Sequence, residues 1–130
     1  MIPGTGRNHP SLKRSFLFAL QGLRTAVASE RNIRIMLGGA CFAVIVGAIL
    51  RIDALSWACV IVCCGMVLVT ELVNTAIETI VDLVSPEFHP LAGRAKDVAA
   101  AASWFASLTA VLVGLIVFAR AALMLLGVLH

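Results

Sequence analysis

Three apolar runs, one of them ending in a ladder of carboxylates, constrain this chain more than any other feature. Residues 35–50 and 98–119 carry no charge, giving uninterrupted runs of sixteen and twenty-two residues. Between them, the segment from Leu55 meets no helix breaker until Pro86. A membrane-spanning helix needs about 20 apolar residues for a hydrocarbon core of about 30 Å. A helix over 55–84 would be about 45 Å long, so it overshoots, and its excess is the stretch "TELVNTAIETIVDLV" at 70–84. That stretch holds Glu71, Glu78 and Asp82, three of the seven acidic residues in the chain.

The composition agrees with the apolar runs. Hydrophobic residues make up 61% of the chain and charged residues 13%, with a mean hydropathy of +1.02. Ordinary globular domains carry about a quarter charged residues, so the expected class is an all-α integral membrane protein, one domain over 1–130. A chain this small buries no deep site alone, which favours an oligomer. The net charge of +3 is not gathered into a stripe, so no nucleic-acid partner is expected. A bilayer is the expected partner of such basic residues. Cys41, Cys59, Cys63 and Cys64 lie in apolar runs without a neighbouring His and read as reduced, small hydrophobes. The polar start has no early apolar core, so no cleavable signal is expected.

Along the chain, residues 1–10 read as a disordered lead and 11–28 as an amphipathic helix capped by Ser11. Leu12, Phe16, Ala19, Leu20, Leu23 and Val27 share one arc, beside a basic arc of Lys13, Arg14 and Arg24. That pattern suits a helix lying on an anionic membrane surface, and equally one packed on its own protein. The three spans follow at 35–51, 55–84 and 95–125, the second with a cytoplasmic extension. Six Lys and Arg residues precede the first span and two lie in the 85–97 turn, against Arg51 and Arg120 on the other side. Eight against two predicts a cytoplasmic N-terminus and a cytoplasmic "GRAKD" turn.

Glu71, Asn74, Thr75, Glu78 and Asp82 fall on one helix face. A charge at mid-membrane costs about 2.5–3.5 kcal/mol, whereas this stripe runs from the hydrocarbon edge into water. A solvated helix end would explain Asp82 but leaves Glu71 unaccounted for. Arg94 and Lys96 border Gly93, where the start of the third helix would offer free N–H groups to an anion. Glu87 and His89 occupy the same turn. Glu30 is a further boundary carboxylate, with Arg34 at i+4 as its expected partner. Carboxylates for Mg²⁺, basic groups for phosphate and a boundary base suggest phosphoryl transfer to a membrane-embedded alcohol. No GxxxxGK[ST] loop is present, and the residues alone reach only a metal-and-phosphate site at the interface. A small proton-coupled transporter using Glu71 and an adaptor whose charges only set topology are readings from other classes.

The words "ELVNTAIETIVDLV" and "EFHPLAGRAKDVAAAA", with "GLRTAVASERNIRI" before the first span, resemble the small bacterial integral-membrane lipid kinases, the diacylglycerol and undecaprenol kinases. The similarity runs from about Phe16 to Phe118. It implies a homotrimer of three-span subunits with an N-terminal surface helix, in the bacterial cell membrane. It further implies active sites at subunit boundaries on the cytoplasmic side, and transfer of the γ-phosphate from ATP, with Mg²⁺, to a lipid hydroxyl. Position by position, Glu71 matches the catalytic base, and Glu30 and Glu78 the metal-binding carboxylates. Asn74 matches the asparagine beside the reacting groups, and Lys96 the phosphate-contacting lysine. Asp97 matches a nucleotide contact, Glu87 and His89 the residues around the adenosine, and Gly93 a position where bulk would crowd the nucleotide. Asp82 belongs to the pattern in a supporting structural role. "FHPLAGRAKDVAAAA" and "ERNIRI" resemble the undecaprenol branch more closely, with diacylglycerol as the alternative acceptor. That branch often has His where this chain has Met36.

Overall fold

The computed structural model describes residues 11–128, and these form four helices: α1 (Leu12–Ser29), α2 (Arg31–Ile49), α3 (Ala54–Val84) and α4 (Pro90–Leu125). The lead expected at residues 1–10 lies outside the described residues. No strand occurs among the described residues. At 1.5 Å per residue, α2, α3 and α4 measure about 28, 46 and 54 Å, and all three are long and apolar enough to cross a membrane.

Local chemistry sets each boundary. Ser11 accepts the Arg14 N–H through its hydroxyl and starts α1. Glu30 alone separates α1 from α2, with extended backbone angles of φ −101° and ψ 121°. The expected Glu30–Arg34 pair does not form. Arg34 Nη1 instead donates to the carbonyls of Val27 and Ala28, at 3.1 Å each, because those groups at the end of α1 have no partner within the helix.

At the far end of α2 the chain reverses in four residues. Ile52 N–H reaches the Gly47 carbonyl and Arg51 N–H the Ala48 carbonyl. This 6→1 and 5→2 pairing requires a left-handed residue between, and Arg51 takes it at φ 52°. Asp53 then caps α3, accepting from the Ser56 N–H at 3.0 Å and the Ser56 hydroxyl at 2.9 Å.

The turn between α3 and α4 is shorter than its sequence suggests. Pro86 forbids continuation of the helix, and α4 starts at Pro90, five residues before the expected 95. The cause is a cap: His89 Nδ1 accepts the Leu91 N–H at 3.2 Å, and proline at the first helical position needs no N–H partner.

The main seam is the antiparallel pairing of α3 with α4, with α2 packed against α3. Ser56, Val60, Cys63, Val67, Glu71 and Asn74 line the buried face of α3. Small residues answer them on α4, where Ala99, Ser103 and Ala106 are buried and allow close backbone approach. Of the four alanines at 99–102, only Ala99 is buried within the chain. All four cysteines are free thiols. Large apolar side chains on the outer faces stay exposed, among them Phe42, Ile61, Phe105 and Ile116, and Leu12 and Phe16 on α1. One chain does not cover them.

Candidate active site

The α3–α4 seam changes from apolar to polar toward its Pro86 end. Glu71 lies 17 residues into α3, about 26 Å from the start of that helix, and is only 3% exposed. Its Oε2 accepts a hydrogen bond from Ser103 Oγ of α4 at 2.5 Å. One turn further, Asn74 is 7% exposed and donates through Nδ2 to Glu78 Oε1 at 3.2 Å. Asn74 Oδ1 is buried without a partner. Beyond it, Lys96 Nζ of α4 pairs with Asp82 Oδ1 of α3 at 2.6 Å. The order along the seam is therefore a buried carboxylate, an amide with a free oxygen, a half-buried carboxylate and an ion pair.

Glu71, Asn74, Glu78 and Lys96 are thus brought onto one seam. Asp97 is exposed one residue past Lys96, and Glu87 and His89 are exposed in and beside the 85–89 turn. With Nδ1 of His89 used by the cap, its other ring nitrogen remains for an outside partner. Gly93 does not sit at the open start of a helix as expected. Its N–H bonds to the His89 carbonyl at 3.1 Å and is not free for an anion. A side chain at Gly93 would meet nothing of this chain within 4 Å. Glu30 lies at the α1–α2 corner, half-buried, and its side chain makes no hydrogen bond or ion pair among the described residues. The partner of Glu71 is the residue that sequence reasoning missed. Its sequence signal was limited to Ser103 being the polar member of the small-residue face 99–103–106, which does not name its partner.

No three His, Cys, Asp or Glu residues converge as a metal cage among the described residues. The donor set still fits Mg²⁺, which takes one or two carboxylates and completes its octahedron with phosphate oxygens and water. Glu78 offers a carboxylate at the seam, and the unpartnered Asn74 Oδ1 beside it is a hard oxygen. A separate cavity of about 240 Å³, lined by Arg51, Asp53, Ser56 and Arg120, lies at the opposite end of α3 and α4.

Residues 17–118, most of the chain and the whole of this seam, match the family described as prokaryotic diacylglycerol kinase. The chain belongs to that family. It is similar to an undecaprenol kinase of Bacillus subtilis, 34% identical over 81% of this chain and 85% of the relative. It is likewise similar to a diacylglycerol kinase of Helicobacter pylori, 35% identical over 78% of this chain and 79% of the relative. A diacylglycerol kinase of Escherichia coli is 35% identical over 73% of this chain and 78% of the relative. Membership makes the protein a lipid kinase, for which ATP is the implied phosphate donor, and its three apolar helices make it a multi-pass membrane protein. The resemblance read from the sequence is borne out, including its extent. Transporter and adaptor readings lose their ground.

Proposed function

We propose that the protein transfers the γ-phosphate of ATP to the hydroxyl of a membrane lipid alcohol, undecaprenol in the first place. The observation that carries this reading is the burial of Glu71 at the seam, one turn from Asn74 and two from Glu78, with Lys96 further along the same seam. Phosphoryl transfer needs positioning and charge neutralisation more than covalent help from the protein. Glu71 takes the proton of the lipid hydroxyl as its oxygen bonds to phosphorus and the bond to ADP breaks. Asn74 steadies the reacting groups. Lys96 draws the phosphates toward the seam, and Asp97, Glu87, His89 and Gly93 surround the nucleotide. Glu30 and Glu78 would hold Mg²⁺, which would supply charge neutralisation at the phosphate oxygens.

The proposal extends to a homotrimer, with N-terminus and active site on the cytoplasmic side and α1 lying on the membrane surface. Exposed apolar faces on every span support an assembly. Undecaprenol is favoured by the wording "FHPLAGRAKDVAAAA"; relatives carrying either substrate name are about equally similar, and diacylglycerol is the alternative acceptor. The test is phosphorylation from labelled ATP and Mg²⁺ in mixed micelles, with each alcohol offered separately and then together. Preferential labelling of undecaprenol is the expected result. Exclusive labelling of diacylglycerol would move the protein to the other branch, and labelling of neither by folded protein would defeat the proposal.

A further inference from the structure

Two hydroxyls of helix α4 find their acceptors in different ways. A serine or threonine inside a helix commonly donates back to the carbonyl three or four residues earlier. Thr109 does so to Phe105, and on α3 Thr70 does so to Met66 and Val67 and Thr79 to Thr75. Ser103 does not. Its only proton crosses the seam to Glu71 Oε2, thirty-two residues away in sequence. Ser103 is 4% exposed, so water is not an easy substitute for that acceptor.

Among the described residues, Ser103 is the one hydrogen-bond donor to Glu71, and no cation pairs with it. The other charged groups on the seam are committed elsewhere: Glu78 to Asn74, and Lys96 to Asp82. A buried carboxylate with a single donor is fixed on one oxygen and free on the other. We infer that Ser103 is a positioning residue for the phosphoryl transfer: it holds Glu71 by Oε2 so that Oε1 is presented to the lipid hydroxyl. This rests on the proposed role of Glu71 as base and adds the group that aims it. The small neighbours Ala99 and Ala106 bring α4 close enough for so short a side chain to reach.

The test is Ser103→Ala in the full-length protein, assayed with whichever of undecaprenol or diacylglycerol the wild type phosphorylates. The expected result is a fall of about 10- to 100-fold in kcat, the order that a displaced reacting group costs, with KM for ATP unchanged. Ser103→Thr, which restores a hydroxyl, should recover most of the loss, whereas Ser103→Cys, a weak donor of similar volume, should not. Cys also carries the test if the alanine variant does not fold. Unchanged kcat in Ser103→Ala or Ser103→Cys overturns the inference. Equal loss in the Thr and Ala variants also overturns it, since the requirement is then for packing. A parallel Glu71→Gln variant separates the two levels: if it too turns over normally, the base assignment has failed; if it is inactive while Ser103→Ala is normal, only the positioning role has.

Discussion

Lys96 Nζ and Asp82 Oδ1 lie 2.6 Å apart, fourteen residues apart in sequence, and tie the polar ends of α3 and α4 together. Asp82 is largely exposed and Lys96 about one-third exposed, so the pair's contribution to stability is small in water-like surroundings. Its consequence is positional, because Lys96 is held on α3 at Asp82, one turn beyond Glu78. Asp82→Asn is therefore expected to leave the folded protein intact while raising KM for ATP several-fold, as the lysine loses its tether. Steady-state kinetics and thermal unfolding of the same preparation check this. A large loss of stability with unchanged KM would assign the pair to folding instead.

Glu30 and Glu78 lie on different elements, so as holders of the proposed metal each would be felt separately. Glu30→Gln and Glu78→Gln are each expected to raise the Mg²⁺ concentration needed for half-maximal turnover. Glu78→Gln should have a second effect, since the Asn74 amide loses its carboxylate acceptor. Titrations of turnover against Mg²⁺ at saturating ATP measure both. An unchanged titration in both variants would remove the metal role.

At the opposite end, Gly47 is the point of closest approach. A Cβ there would lie 3.0 Å from both Ile52 Cδ1 and the Trp57 ring. Gly47→Val adds two further methyl groups in the same space, and overpacking of this kind costs about 1–3 kcal/mol. Reduced thermal stability in detergent is expected, with little change in KM for ATP because the change is remote from the seam.

The Asp53 cap gives a pH dependence whose sign follows from its partners. Hydrogen bonds from the Ser56 N–H, then from the Ser56 hydroxyl, hold its carboxyl below the ordinary value of 3.8; Leu55 N–H and Arg120 assist against the opposing effect of desolvation. A depressed carboxyl stabilises the folded state fully above the unfolded value, and that stability is lost as pH falls through the lower folded value. Asp53→Asn keeps a capping oxygen but does not titrate. Its unfolding midpoint is expected to fall less steeply than the wild type's below about pH 4.

The parts legible in the sequence were those governed by local rules. Apolar run lengths indicated three helices long enough to span, and the spacing of Glu71, Asn74, Glu78 and Asp82 placed them on one helix face before any packing was known. The Ser11 cap was read from the residue type alone. What escaped depended on a competing local bond or on a neighbour distant in sequence. Arg34 was expected at Glu30 by its i+4 spacing, but the unpaired carbonyls of Val27 and Ala28 are better placed. The start of α4 was set by the His89 cap, which draws the helix back to Pro90. Ser103 could not be matched to Glu71 without the register of α3 against α4, and that register is fixed by packing.

The most direct test of the central claim uses Glu71→Gln in the purified, membrane-extracted protein. Lipid phosphorylation and nucleotide binding are measured on one sample. The buried amide preserves shape and a hydrogen-bonding oxygen for Ser103 but accepts no proton from the lipid. Phosphate transfer is expected to fall to background while ATP binding stays near that of the wild type. Retained turnover would contradict the account, since a base that can be replaced by an amide is not the base.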